Sequence, residues 1–197
     1  EACKEMGIKA IYGQRITNYT KDRGYPDRFS VEITNRCNYK CIMCPRTQMT
    51  RPETDMDELL FKKIIDDISE NGASMIDLYR LGESTIHPKF GEYLSYVDEK
   101  IPHLNTSLFS NAGSLDIKKL KRIMESTLTL FSVSVNALDR DTYGVITGGG
   151  KYDNMRKVVE TAKSLKKGRK PFFGVQYLEQ ELNRDKHREF IDSYIDY

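Results

Sequence analysis

With 197 residues, 39% of them hydrophobic and 30% charged, the chain is long enough for one domain with a substantial core and too short for a second full one. Its 31 basic and 29 acidic residues nearly cancel to a net charge of +2, which removes any global electrostatic case for a nucleic-acid or membrane-surface binder. No apolar run reaches membrane-spanning length, and the first residues lack a basic-then-apolar leader, so a cytoplasmic protein is expected.

Residues 1–28 are polar and read as an N-terminal extension to a core domain over 29–197. From residue 29 two periodicities alternate. Residues 29–34 alternate apolar and polar side chains, as a strand does. Over 56–71, Leu59, Leu60, Ile64, Ile65 and Ile68 recur at helical spacing, and Gly72 supplies the stop. Further strands are expected at 75–81, 105–110, 128–135 and 172–178. Helices are expected at 89–100, 116–125 and 184–195, and one from about 139 that breaks at Gly148-Gly149-Gly150 and resumes over 152–167. Five strand–helix units in succession imply a parallel sheet with right-handed crossovers. Ligands of such sheets bind beyond the carboxyl ends of the strands. Three cysteines, Gly82-Glu83, Ser110-Asn111 and Asn136 all fall there.

Those three cysteines lie within eight residues, in Cys37-Asn-Tyr-Lys-Cys41-Ile-Met43-Cys44-Pro45, while Cys3 stands far upstream as a bystander thiol or a distant fourth ligand. Clustered cysteines in such a chain point to metal rather than disulfides. Thiolates suit soft metals and iron–sulfur clusters, and Pro45 keeps the segment from continuing as a regular helix. Three ligands are one too few for an all-cysteine cluster, so one iron would be left open, as in catalytic metal sites. The competing reading is zinc, held by the three cysteines and one of His87, His103 or His187. None of these is in a finger spacing, so spacing favours iron–sulfur and leaves zinc open.

The stretch from Glu32 to Arg46 resembles the signature of the radical S-adenosylmethionine superfamily: cysteine, three residues, cysteine, two residues, cysteine, after the first strand. The resemblance implies an α/β fold, a parallel partial (β/α)6 TIM-like barrel, here truncated to about five strand–helix units. It is nearest to members with a C-terminal auxiliary-cluster (SPASM-type) domain. It further implies a 4Fe–4S cluster on Cys37, Cys41 and Cys44, and S-adenosylmethionine on the open iron. Met43 stands where the family usually has an aromatic residue, and would offer the adenine an apolar, polarizable contact. Gly82-Glu83 resembles the end of the family's Gly-Gly-Glu motif, with Leu81 in place of the first glycine. There Glu83 would meet the methionine ammonium, a carboxylate suiting that charge; a capping role is the plainer alternative. Ser110-Asn111-Ala-Gly113 resembles the family's Thr-Asn-Gly turn. Ser134 and Asn136 fall in the region that contacts the ribose and the methionine carboxylate, and Ile146 would pack on adenine or in the core.

The implied activity is reductive cleavage of S-adenosylmethionine to a 5′-deoxyadenosyl radical, which takes a hydrogen atom from a peptide or a sugar- or aminoglycoside-like substrate. An external donor such as flavodoxin or ferredoxin would supply the electron. No general base stands out. A non-catalytic iron–sulfur or zinc module is the rival. No nucleic acid or membrane is expected, since the basic runs at 118–122 and 163–170 read as solvated helix faces. Arg80, beside Gly82-Glu83, would meet an acidic substrate group or a neighbouring carboxylate. The missing sixth unit is expected to lie in a longer parent chain.

Overall fold

A computed structural model describes residues 24–165 and 170–195. Cys3, most of the N-terminal extension, the end of the 152–167 helix and the middle of the second basic run lie outside the described residues. Five parallel strands stand in the order of the chain: β1 (Arg28–Ser30), β2 (Met75–Asp77), β3 (Thr106–Ser110), β4 (Leu130–Ser134) and β5 (Phe172–Gln176). Helices α1 (Glu58–Asn71), α2 (Phe90–Lys100), α3 (Ile117–Met124), α4 (Arg140–Thr147), α5 (Tyr152–Leu165) and α6 (His187–Tyr194) follow them in alternation. Each strand pairs with the next, and the sheet is an open one, as expected of an incomplete barrel.

Local chemistry explains where the helices start and stop. The Asp57 carboxylate accepts the amides of Leu59 and Leu60 at 2.9 and 3.3 Å, opening α1, and Gly72 closes it at φ +78°. Asp116 and Asp139 do the same for α3 and α4, taking the amides of Lys119 and Thr142. Gly148, at φ +66°, ends α4 in the left-handed region that a Cβ disfavours. Replacing Asp57 with alanine is expected to lower stability by about 1 kcal/mol, read as a reduced urea midpoint at unchanged slope.

The core lies between the sheet and the helices. Phe61, Ile65 and Ile68 of α1, Leu94 and Val97 of α2, and Leu120 and Ile123 of α3 are fully buried against Ile76, Leu108, Phe131 and Val133. Phe61 stacks on Tyr93 with ring centroids 4.0 Å apart. Ser132 and Ser134 alternate with Phe131, Val133 and Val135 and so point to the opposite, inner face. On that face Asp77, nearly fully buried, accepts Arg28 Nε at 2.9 Å and Ser107 Oγ at 2.5 Å, tying three strands together.

β2 ends at Asp77, earlier than the expected residue 81. The chain turns there because the Leu81 amide goes to the Glu32 carboxylate at 3.2 Å instead of to a neighbouring strand. The expected Gly148–Gly150 break is present between α4 and α5. Among the described residues no helix is long and apolar enough to cross a membrane.

Candidate active site

The cysteine loop leaves β1 at the carboxyl end of the sheet and is held in place from three sides. Lys40 N and Ile42 N donate to the Thr147 and Ile146 carbonyls at the end of α4, at 3.2 and 3.0 Å. The buried Arg46 guanidinium donates from Nη2 to the Tyr39 carbonyl at 3.1 Å and meets Glu53 at 2.5 Å through Nη1. Buried Asn35 clasps the returning segment, giving its amide to the Pro52 carbonyl at 2.8 Å and accepting Thr54 N at 2.6 Å. Tyr39, inside the loop, is 4% exposed, and its hydroxyl accepts the Lys151 amide at 2.8 Å.

Cys37, Cys41 and Cys44 are free, half-buried thiols. Cys37 Sγ accepts the Tyr39 amide at 3.4 Å and the Asn111 side-chain amide at 3.6 Å. Burial pushes the Cys37 thiol up, and burial together with the other two sulfurs pushes Cys41 up to about 11. Both shifts disfavour the thiolates, the form in which cysteine ligates metal, so binding of a metal group would be coupled to proton release.

Among the described residues no three His, Cys, Asp or Glu side chains converge as a single-metal site. A zinc ion would draw four ligand atoms to within about 3.8 Å of one another, given a zinc–sulfur bond near 2.3 Å. A cluster instead assigns each cysteine its own iron and needs no such convergence. His87 Nδ1 accepts Lys89 N at 3.0 Å, His187 Nδ1 faces Glu179 at 2.7 Å, and His103 precedes β3 at the opposite end of the sheet.

Gly82 follows β2 in tight contact with the chain leading into the loop: a Cβ there would lie 2.0 Å from the Thr34 carbonyl oxygen. Glu83, 3% exposed, donates its amide to the Arg36 carbonyl at 2.8 Å. Its Oε1 accepts Thr85 Oγ1 at 2.5 Å, Thr85 N at 3.3 Å and Ser110 Oγ at 2.8 Å, while among the described residues Oε2 accepts Asn111 N alone, at 2.7 Å. Burial pushes its carboxyl up, and the donations from Thr85, Asn111 and Ser110 oppose that. Glu83 thus caps the short 3₁₀ turn Ser84–Ile86 and latches the end of β3, and one lone pair of Oε2 is left over.

Ser110 is spent in this network, since its hydroxyl also accepts Ala112 N at 3.0 Å. Asn136, 6% exposed, accepts Leu178 N at 3.1 Å through Oδ1. Ser134 lies on the inner face, and Met43 Sδ faces Gln180 Nε2 at 3.9 Å. Ile146 is fully buried in the core. Arg80 is exposed and has no carboxylate partner among the described residues. Two contributors, Tyr39 and Asn183, had no role in the sequence reading, and Asn111, already placed at its strand end, gains one. Tyr39 and Asn111 carry the contacts to Cys37, and Asn183, fully buried, donates Nδ2 to the Asn136 and Leu178 carbonyls at 2.8 and 3.0 Å. Asn183 follows β5 by seven residues and carries no motif, so no sequence signal marked it.

Residues 31–184 match the Radical SAM superfamily, a span that takes in the cysteine loop and all but the first strand. The chain belongs to that superfamily. Its members are enzymes whose cofactors are a 4Fe–4S cluster and S-adenosylmethionine. The tungsten-containing aldehyde ferredoxin oxidoreductase cofactor-modifying protein of Pyrococcus furiosus is 31% identical over 158 residues, covering 78% of this chain and 44% of that protein. A GTP 3′,8-cyclase of Chlorobaculum tepidum is 23% identical, over 81% of this chain and 45% of its own. The chain thus spans less than half the length of these relatives. Among solved structures, Streptococcus suis SuiB bound to S-adenosylmethionine superposes with TM-score 0.72 at 16% identity, covering 85% of this chain and 37% of its own. BtrN in complex with AdoMet and 2-DOIA gives 0.59 at 21% identity, covering 77% and 57%. These likenesses establish the shared fold.

Proposed function

We propose that Cys37, Cys41 and Cys44 hold three irons of a 4Fe–4S cluster and that S-adenosylmethionine binds at the fourth, on the rim formed by Met43, Gly82-Glu83, Ser110, Ser134 and Asn136. One observation carries this reading: three free, half-buried thiols share one loop, fixed by hydrogen bonds to the end of α4, at the carboxyl end of the sheet. When bound, the pair of cofactors supplies one-electron cleavage of a carbon–sulfur bond and a hydrogen-abstracting 5′-deoxyadenosyl radical.

The chain's own groups bind and orient. The Tyr39 and Asn111 amides stabilise negative charge on Cys37 Sγ. Glu83 holds the Ser110–Asn111 turn that carries one of these donors, and its remaining Oε2 lone pair suits an ammonium hydrogen. Ser134 presents a hydroxyl on the inner face, and Asn136, bound by Asn183 and Leu178, fixes the rim beside it. For the substrate we propose a peptide or a sugar- or aminoglycoside-like molecule. Neighbours of the same fold were solved with the precursor peptide SuiA, with the Cp18Cys peptide and with 2-DOIA. Arg80, exposed and two residues before Gly82, is the group we assign to an acidic substituent.

The test is anaerobic reconstitution of the full-length protein, followed by reduction with dithionite in the presence of S-adenosylmethionine. About four irons and 5′-deoxyadenosine are expected. Full iron loading without that product would leave a non-catalytic cluster module, and bound zinc without iron would remove the cluster.

A further inference from the structure

Among the described residues three buried side-chain polar atoms have no hydrogen-bond partner. Two of them, the Thr106 and Thr129 hydroxyls, sit at the start of β3 and just before β4, at the far end of the sheet from the cysteines. The third is the hydroxyl of Tyr143, a fully buried side chain of α4. A buried donor left without a partner is costly, so its place asks for a reason.

Helical geometry sets that side chain against Cys41. Lys40 and Ile42, the residues flanking Cys41, give their amides to the Thr147 and Ile146 carbonyls at 3.2 and 3.0 Å. Tyr143 lies three and four residues before these two acceptors, one turn back on the same side of α4. Its ring is fixed edge-on between Tyr39, with centroids 6.5 Å apart, and Tyr152, at 5.5 Å. Cys41 packs on the same buried cluster.

The other polar groups around the phenol have work elsewhere. Thr147 Oγ1 donates to the Tyr143 carbonyl at 2.5 Å and accepts the Gly150 amide at 2.9 Å. The Tyr39 hydroxyl accepts the Lys151 amide at 2.8 Å and, although it lies beside the phenol, is not aligned with it for a hydrogen bond. Glu83 has its carboxylate turned to Thr85, Ser110 and Asn111. Cys41 is left. Burial pushes the Tyr143 phenol far up, and Tyr39 and Cys41 push it the same way, so the oxygen keeps its hydrogen and stays a donor. A neutral thiol is a weak acceptor, whereas a thiolate is a strong one. The phenol therefore faces a sulfur that becomes a good partner in the form that ligates metal.

We propose that Tyr143 is a positioning residue of the cluster site, whose hydroxyl donates to the Cys41 thiolate sulfur and so sets the reduction potential of the cluster that Cys41 ligates. The proposal rests on the cluster reading given under the proposed function. Reduction adds negative charge to a cluster and its sulfurs, and a donor aimed at one of those sulfurs favours the reduced state. Tyr143 acts through Cys41 alone and touches neither S-adenosylmethionine nor substrate.

The test compares the full-length wild type, reconstituted anaerobically, with Tyr143→Phe, which keeps the ring and loses only the hydroxyl. Tyr93→Phe is the control, a buried tyrosine stacked on Phe61 whose hydroxyl goes to the Met56 carbonyl at 2.9 Å. Iron per chain is measured first. The midpoint potential follows, from a redox titration of the electron paramagnetic resonance signal of the reduced cluster without S-adenosylmethionine. Tyr143→Phe is expected to load iron as the wild type does and to titrate at a more negative potential. Its resonance is expected to lack one coupling to an exchangeable proton that the wild type shows on comparing light with heavy water. Tyr93→Phe is expected to match the wild type in both readings. An iron-loaded Tyr143→Phe with the wild-type potential or the wild-type proton couplings would overturn the proposal, as would an equal shift in Tyr93→Phe. A Tyr143→Phe that fails to fold by circular dichroism, or that folds and takes up no iron, would make the hydroxyl part of the scaffold and overturn it too. A wild type that takes up no iron would instead remove the cluster reading, and this hydrogen bond with it.

Discussion

Replacing Cys41 with alanine is expected to cost the protein its cluster. Cys41 is the middle ligand of a loop whose backbone is fixed on both sides of it: Ile42 N is tied to the Ile146 carbonyl at 3.0 Å, and Cys44 N to the Cys41 carbonyl at 3.0 Å. Those bonds run through the main chain and survive the substitution, so the loop keeps its shape and loses one thiolate. Among the described residues the other two cysteines, Cys37 and Cys44, are already committed, so neither can replace it. Stability of the metal-free protein should change by about 1 kcal/mol, because the substitution deletes one half-buried thiol and leaves only the Cβ methyl. Iron content after reconstitution is expected to fall about tenfold or more, with loss of the visible absorption and of 5′-deoxyadenosine formation. A variant that keeps its iron and its visible spectrum would take Cys41 out of the ligand set.

The strand–helix alternation was legible because each signal is local. The Asp57, Asp116 and Asp139 caps sit one residue before their helices, and Gly72 and Gly148 stop theirs. The cysteine loop was legible for the same reason, all its ligands lying on one short segment. What the sequence could not show were contacts between distant segments. Tyr39 meets Lys151 112 residues away, Asn111 meets Cys37 74 residues away, and Asn183 meets Asn136 47 residues away. Such pairings depend on which strand ends the fold brings together, and a buried asparagine looks like any turn residue until its partners are known. Glu83 is instructive in the other direction. Both the motif reading and the plainer capping reading were available from the sequence, and the structure shows the carboxylate capping the turn at Thr85 while it latches β3.

Replacing Gly82 with alanine is expected to unseat the rim as a whole. The added Cβ would lie 2.0 Å from the Thr34 carbonyl oxygen, 2.7 Å from its carbon and 2.8 Å from the Arg36 carbonyl oxygen. All three are main-chain atoms, so no rotamer change can relieve the overlap and a backbone must move. The Arg36 carbonyl accepts the Glu83 amide at 2.8 Å and immediately precedes Cys37, so the displacement passes to the carboxylate latch and the cysteine loop together. Burying a clash of this kind should cost about 3 kcal/mol or more. For a domain of this size that is a fall in Tm of roughly 6–12 °C, and cluster loading should drop with it. Gly91, inside α2, gives the internal comparison: an added Cβ there meets nothing within 4 Å. Gly91→Ala should therefore raise stability by about 0.5–1 kcal/mol through the helix propensity of alanine. If Gly82→Ala melts no lower than the wild type, the close approach of β2's exit to the cysteine loop is wrong, and the shared rim with it.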